Sequence, residues 1–209
     1  MASSILTTHV GSLPRSKELS ELLFKKDKGE SFDKNLFDDV VKKNVEQVVN
    51  RQLDVGIDVV SDGEMSKISY ATYVKDRIKG FSGESERRAP ADLDDFPEYK
   101  DKIAKSGGTP TYTRPCCTSN LEIQDVDSLK KDISNFNNAL SNASHKKGFM
   151  NAASPGVISV FMPNKFYQDD DEYMEKLSSL MAKEYKAITD ANIQLQLDCP
   201  DLALARHMS

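Results

Sequence analysis

No run of apolar residues in this sequence approaches the roughly 20 that a helix needs to cross a bilayer, so no membrane partner is expected. Basic residues are not gathered into a surface either. Lys and Arg total 28 against 33 Asp and Glu, a formal charge of −5, and the densest group, Lys25, Lys26 and Lys28, is interrupted by Asp27. Nucleic-acid binders carry a basic patch or stripe, so no nucleic-acid partner is expected, and the lysine group reads as a solvated helix end or loop. Cysteine is scarce: Cys116, Cys117 and Cys199 form an odd set with no CxxC or Cys/His spacing. That leaves no disulfide framework to read and no complete zinc site, and it fits a reducing compartment. The opening residues lack the basic region and long apolar stretch of a secretory leader, so the expected location is the cytoplasm.

What is present has the balance of a globular chain: 209 residues, 38% apolar and 29% charged, enough for one substantial core. Ile5 to Val10 is rich in β-branched residues and ends at Gly11, the pattern of a strand running into a turn. Leu36, Val40, Val41, Val45, Val48, Val49 and Leu53 fall at helical spacing, with Asp33 placed to cap the helix and Gly56 beyond it. Ile57 to Val60 then reads as a short buried strand ending at Ser61-Asp62-Gly63-Glu64.

From Gly80 to about Thr113 the rhythm breaks, with glycines, prolines and many charges, and a long excursion with only short local structure is expected. Order resumes at Asp125. Leu129, Ile133, Phe136 and Leu140 make one apolar helical stripe, Gly148 to Ala153 is a strand candidate, and a helix is expected from about Asp169 to Ala191 with Asn192 closing it. Ile193 to Asp198 completes the series as a strand ending at Cys199-Pro200. Strands alternating with amphipathic helices predict βαβ units on a parallel sheet. Counting one strand near Ser119–Ile123 gives about five, too few to close an eight-stranded barrel.

Three polar positions follow predicted strands: Gly11-Ser12, Glu64 and Asp198. The carboxyl ends of parallel strands form the ligand-binding face of such folds. A hydroxyl, turn amides and two carboxyls gathered there can hold a zwitterion, the acids taking an ammonium and the amides a carboxylate. The same pair can bind a metal or serve as acid and base, and Asp and Glu after strands also act as plain helix caps.

The local sequences point one way. Thr7-Thr8-His9-Val10-Gly11-Ser12-Leu13-Pro14-Arg15 resembles the opening strand of the catalytic barrel in cobalamin-independent methionine synthases. Val55 to Glu64 resembles their second strand with its Gly-Glu ending, and Phe149 to Ser159 their fourth strand and the turn after it, here Ser154-Pro155-Gly156. Gln194 to Ala203 is similar to the family's Ile-Asp-Glu-Pro-Ala-Leu segment, and the matches run in family order nearly end to end. The resemblance implies an α/β fold of the (β/α)₈ TIM-barrel type, with residues 1–209 supplying the N-terminal part, about the first five β/α units, and the excursion at about 80–113 looping out of it.

It also implies methyl transfer from a methyltetrahydrofolate to the thiol of homocysteine, giving methionine. By position, Gly11 and Ser12 would hold the amino-acid carboxylate, and Glu64 and Asp198 its ammonium. Family enzymes bind the substrate sulfur with zinc, since a thiolate is the nucleophile and a coordinating metal deprotonates a thiol. The family's zinc ligands, a His-x-Cys pair, a Glu and a late Cys, have no match before Ser209, so no metal ligand is expected within this chain and negligible turnover is expected from it alone.

His9 and Cys199 also depart from the family pattern. His9 has two readings, a group pointing into the site or an imidazole filling space at a strand end. Tyr70 and Tyr73 either line the pocket mouth or pack in the core. His145 and His207 are expected at the surface. The chain is more similar to the short, single-barrel relatives, which include epoxyalkane transferases using coenzyme M. The alternative of a different class is a non-catalytic amino-acid-binding or assembly subunit, self-associating through open strand edges.

Overall fold

The computed structural model describes residues 5–85, 91–105, 112–143 and 147–203. Helix α1 spans Lys17–Asp27 and α2 Lys34–Asp54; strand β1 is Val60–Ser61; α3 is Val74–Arg77, running into β2 at Ile78–Ser82. A 3-10 turn at Ala91–Asp95 and α4 at Pro97–Lys105 precede β3 at Cys116–Ile123. Then come α5 (Asp127–Asn142), β4 (Gly148–Ala153), α6 (Pro155–Phe161), α7 (Asp170–Asp190) and β5 (Gln194–Asp198).

Local chemistry accounts for the helix ends. Asp33 accepts from the amides of Asn35 and Leu36 at 2.9 and 3.1 Å, and Asp169 accepts from Glu172 N at 2.9 Å, each meeting orphan donors of a first turn. Ser154 caps α6 through Val157 N at 3.0 Å with Pro155 behind it, and Asn192 closes the chain beyond α7 with φ 58°.

Strands β1, β4 and β5 form a parallel sheet in that order, and the expected first strand joins it through one parallel bridge, Thr8 to Val59. Thr8 Oγ1 reinforces the bridge at 2.6 Å to Val59 O. This is an open α/β sheet among the described residues, not a closed barrel. The count of about five β/α units is corrected: β3, which contains Ser119–Ile123, pairs antiparallel with β2 in a separate two-stranded sheet. The reason is topological. β2 and β3 are consecutive strands joined by the excursion, and an antiparallel pair needs no crossover to the far end of the sheet. The excursion holds more order than its composition predicts, the 3-10 turn and α4.

Two apolar clusters anchor these layers. Leu19 and Leu23 of α1, Val45 and Val49 of α2, Phe136 of α5 and Ile188 of α7 pack with Val60 and Met150 of the sheet. Leu121 and Cys117 of β3 pack with Ile158 of α6 and Leu177 of α7 in the second cluster. Gln52, buried in α2, donates to Ser61 O at 2.8 Å and accepts from Ser61 N at 3.1 Å, so a side chain completes the backbone pairing of β1.

Between the clusters lies a buried ion network. Arg77 Nη1 contacts Glu184 of α7 at 2.8 Å, Arg77 Nη2 reaches Asp132 of α5, and Tyr73 donates to Glu184 at 2.6 Å. Burial works to lower the Arg77 pKa, but Glu184 and Asp132 outweigh it and raise it, keeping the guanidinium charged. Removing one member of such a set leaves the others buried without a counterion. Arg77→Ala is therefore expected to cost about 3–5 kcal/mol of unfolding free energy in urea titrations; a cost below about 1 kcal/mol, the scale of an exposed pair, would contradict the assignment.

Candidate functional site at the strand ends

The turn after β1 has an unusual backbone. Gly63 (φ 63°) and Glu64 (φ 56°) are consecutive residues in the left-handed region, and Glu64 is one of two non-glycine residues there among those described. A Cβ at Gly63 would sit 2.9 Å from the end of the Met65 side chain and 3.1 Å from Leu13 Cβ, so both the backbone and the crowding favour glycine there. Asp62 Oδ1 accepts from Glu64 N at 3.0 Å, and Leu13 N donates to Gly63 O at 3.1 Å, drawing the loop after the first strand against this turn. The result brings Ser12 and Glu64 together. Ser12 Oγ donates to Glu64 Oε2 at 2.5 Å, while Glu64, only 1% exposed, keeps Oε1 without a hydrogen-bond partner among the described residues.

Arg15 fastens this arrangement. Its Nη2 donates to Glu64 O at 2.9 Å and Lys67 O at 2.8 Å and lies 3.4 Å from Ser12 Oγ. Burial lowers its pKa against the opposing pull of Glu64 and Asp62. Burial likewise raises Asp62, with Lys67 countering. Gly11 takes φ 82° just ahead, with open space around it.

Asp198 ends β5 and is half-buried. Asn151 of β4 donates Nδ2 to both its oxygens, at 2.9 and 3.1 Å, and Ser154 N donates to its backbone oxygen at 3.1 Å. Asp201 accepts from Ser154 Oγ at 2.8 Å at the start of α6. Buried Lys67 reaches Asn151 O at 2.5 Å and stands 4.4 Å over the Tyr73 ring.

Burial raises the Tyr70 pKa, as does Tyr112; Arg114 opposes, and Asp198 and Glu64 add to the rise. Its ring meets Phe161 edge-on at 5.5 Å, with the Arg114 guanidinium 4.4 Å over the same ring. Tyr70 is half-buried. Tyr73 is core, 2% exposed beneath Lys67.

His9 is exposed, which removes its space-filling reading. His145 and His207 lie outside the described residues. Cys116 and Cys117 are buried in β3, where burial pushes the Cys117 thiol up to about 11, and Cys199 stands beside Asp198. No group of three or more His, Cys, Asp or Glu able to hold a metal occurs among the described residues, so the side chains present do not fit a zinc site. No described helix is long and apolar enough to cross a membrane. A separate cleft of about 310 Å³ between α2 and α5, lined by Phe37, Asp38, Lys131 and Asp132, touches none of Ser12, Glu64 or Asp198.

Sequence reading assigned no role to Arg15 or Asn151. Arg15 lay inside the quoted motif, but its partners are about 50 residues away. Asn151 carried a readable signal, a polar residue in an otherwise apolar strand whose parity matches Asp198. Arg15→Ala leaves two turn carbonyls without their charged donor and is expected to lower stability by about 1–3 kcal/mol, with Arg15→Lys recovering part of it. Equal melting of wild type and Arg15→Ala would show that the turn stands without the guanidinium.

Known proteins resemble this chain in sequence and in fold. Residues 5–89 match the family described as "Cobalamin-independent synthase, Catalytic domain". The uncharacterized protein YxjH of Bacillus subtilis is 30% identical over 191 residues, covering 91% of this chain and 46% of its own length. A methionine synthase of Sulfolobus acidocaldarius is 26% identical over 195 residues, covering 93% of this chain and 51% of its own. Among solved structures, a B12-independent methionine synthase from Shewanella sp. W3-18-1, in complex with selenomethionine, superposes with TM-score 0.67 at 16% identity over 93% of this chain and 51% of that one. The chain thus spans about half the length of the relatives it matches. Its likeness, in sequence over residues 5–89 and in fold over most of the chain, is to the cobalamin-independent methionine synthase family.

Proposed function

We propose that this chain supplies the amino-acid-gripping part of a cobalamin-independent S-methyltransferase, in which a methyl group passes from N5 of a methyltetrahydrofolate to the thiol of homocysteine. The observation that carries the reading is the Ser12–Glu64 contact of 2.5 Å, made by two strand-end loops 52 residues apart in sequence. The turn amides at Gly11 and Ser12 are donors for the substrate carboxylate. Glu64 and Asp198 are acceptors for its ammonium, and charge-assisted bonds of this kind hold both ends of a zwitterion. Binding at both ends orients the side chain and its sulfur toward the donor, converting an encounter into a positioned attack.

The thiolate is the nucleophile, and N5 must take a proton as the methyl leaves. Zinc would supply the activation of sulfur in the complete family enzyme, and its ligands are not among the described residues. Support comes also from relatives named methionine synthases and from a structural neighbour described with selenomethionine bound. Coenzyme M has a sulfonate and no ammonium, so two carboxyls at the strand ends favour an amino acid over it.

Calorimetric titration tests the proposal. L-methionine and L-homocysteine are expected to bind, and Glu64→Gln is expected to weaken both about tenfold or more, the scale of one bond to a charged group. Glu64→Gln together with Asp198→Asn is expected to abolish binding. Absence of binding by the wild-type chain, or undiminished binding by the double variant, would overturn the reading.

A further inference from the structure

Asn151 is the polar residue of a strand whose other members are Gly148, Phe149, Met150, Ala152 and Ala153. It is 2% exposed, and its register with Gln196 places it on the face shared by Gln196 and Asp198, opposite Leu195 and Leu197. One amide nitrogen bonds both oxygens of Asp198, which fixes the rotation of that carboxyl about its terminal bond. The backbone oxygen of Asn151 is taken by the Lys67 ammonium. Its side-chain oxygen Oδ1 is taken by nothing described, and at the strand ends Glu64 Oε1 is the other buried oxygen in that condition. A buried amide oxygen without a donor is costly, and a fold keeps one where a ligand or ordered water brings the hydrogen.

We propose that Asn151 sets the amino-group specificity of the site, its amide locking Asp198 and its free Oδ1 joining Glu64 and Asp198 as acceptors for a primary ammonium. The inference rests on the strand ends being an amino-acid site. A primary ammonium has three N–H donors, and Glu64, Asp198 and Asn151 offer one acceptor side chain for each. A secondary amine loses one donor and brings a methyl group against a buried oxygen. A ligand with no amino group leaves all three acceptors unpaired. Asn151 is thus a positioning residue through Asp198 and a direct contact through Oδ1.

The test titrates L-methionine, N-methyl-L-methionine and 4-(methylthio)butanoate into wild type and Asn151→Ala, with thermal melting of each protein as the check on folding. Wild type is expected to prefer L-methionine over its N-methyl derivative by about tenfold or more, the factor for one hydrogen bond to a charged group. Asn151→Ala is expected to bring that ratio to within about threefold, weakening L-methionine while the affinity for the butanoate holds or rises, one unpaired acceptor having been removed. A merely structural role would weaken all three ligands in parallel, and that result overturns the proposal. Discrimination by Asn151→Ala equal to wild type overturns it as well and leaves the amino-acid reading standing. Wild-type protein that binds no L-methionine overturns both. If Asn151→Ala does not fold, Asn151→Ser, which keeps a small polar group but cannot span to Asp198, is read against the same three ligands.

Discussion

Where β1 ends, the chain reverses through Gly63 and Glu64, both in the left-handed region, and places an acid where sterics disfavour any side chain. The conformation holds because its surroundings over-determine it. Asp62 occupies the Glu64 amide, Leu13 occupies the Gly63 carbonyl, and Arg15 ties the carbonyls of Glu64 and Lys67. Each of those contacts also has a consequence for the site. Leu13 and Arg15 bring the first loop, and with it Ser12, onto Glu64; Lys67 at the far end of the turn reaches across to β4. Strain at a strand end, supported from three directions, is the arrangement by which a carboxyl is aimed rather than left to rotate.

Behind the site the fold is unusually polar for a core. Arg77, Asp132, Glu184, Tyr73, Lys67 and Asp62 are all buried, and they connect α3, α5, α7 and the turn after β1. Such a network favours one arrangement of helices over its neighbours, because any slip strands a charge. It thereby fixes Lys67, hence the position of Asn151, hence the carboxyl of Asp198. The apolar clusters hold the layers together, while the ionic set determines their registration.

Much of this was legible in the sequence where the cause is local. The cap at Asp33, the start of α7 near Asp169, the closing Asn192, the stripes of α2, α5 and α7 and the strands β4 and β5 follow from spacing and turn chemistry within a few residues. The strand ends at Ser12, Glu64 and Asp198 were legible for the same reason. The β2–β3 pairing was not, because its partners are joined across the excursion and the burial of β3 lacks a clean alternation. Helix α1 escaped too: its Leu19, Leu22 and Leu23 are a short apolar pattern beside a lysine group that draws the eye to solvent. Arg15 and Lys67 act through contacts about 50 and 80 residues distant, which no local pattern encodes.

The central claim is that the carboxyl ends of these strands form one site for an amino acid. Backbone amide shifts of the isotope-labelled chain, followed by NMR during addition of L-methionine, test it most directly. The account predicts concerted shifts at Gly11, Ser12, Gly63, Glu64 and Asp198, with one saturation curve for all. Shifts confined to the cleft between α2 and α5, around Asp38 and Lys131, would contradict it.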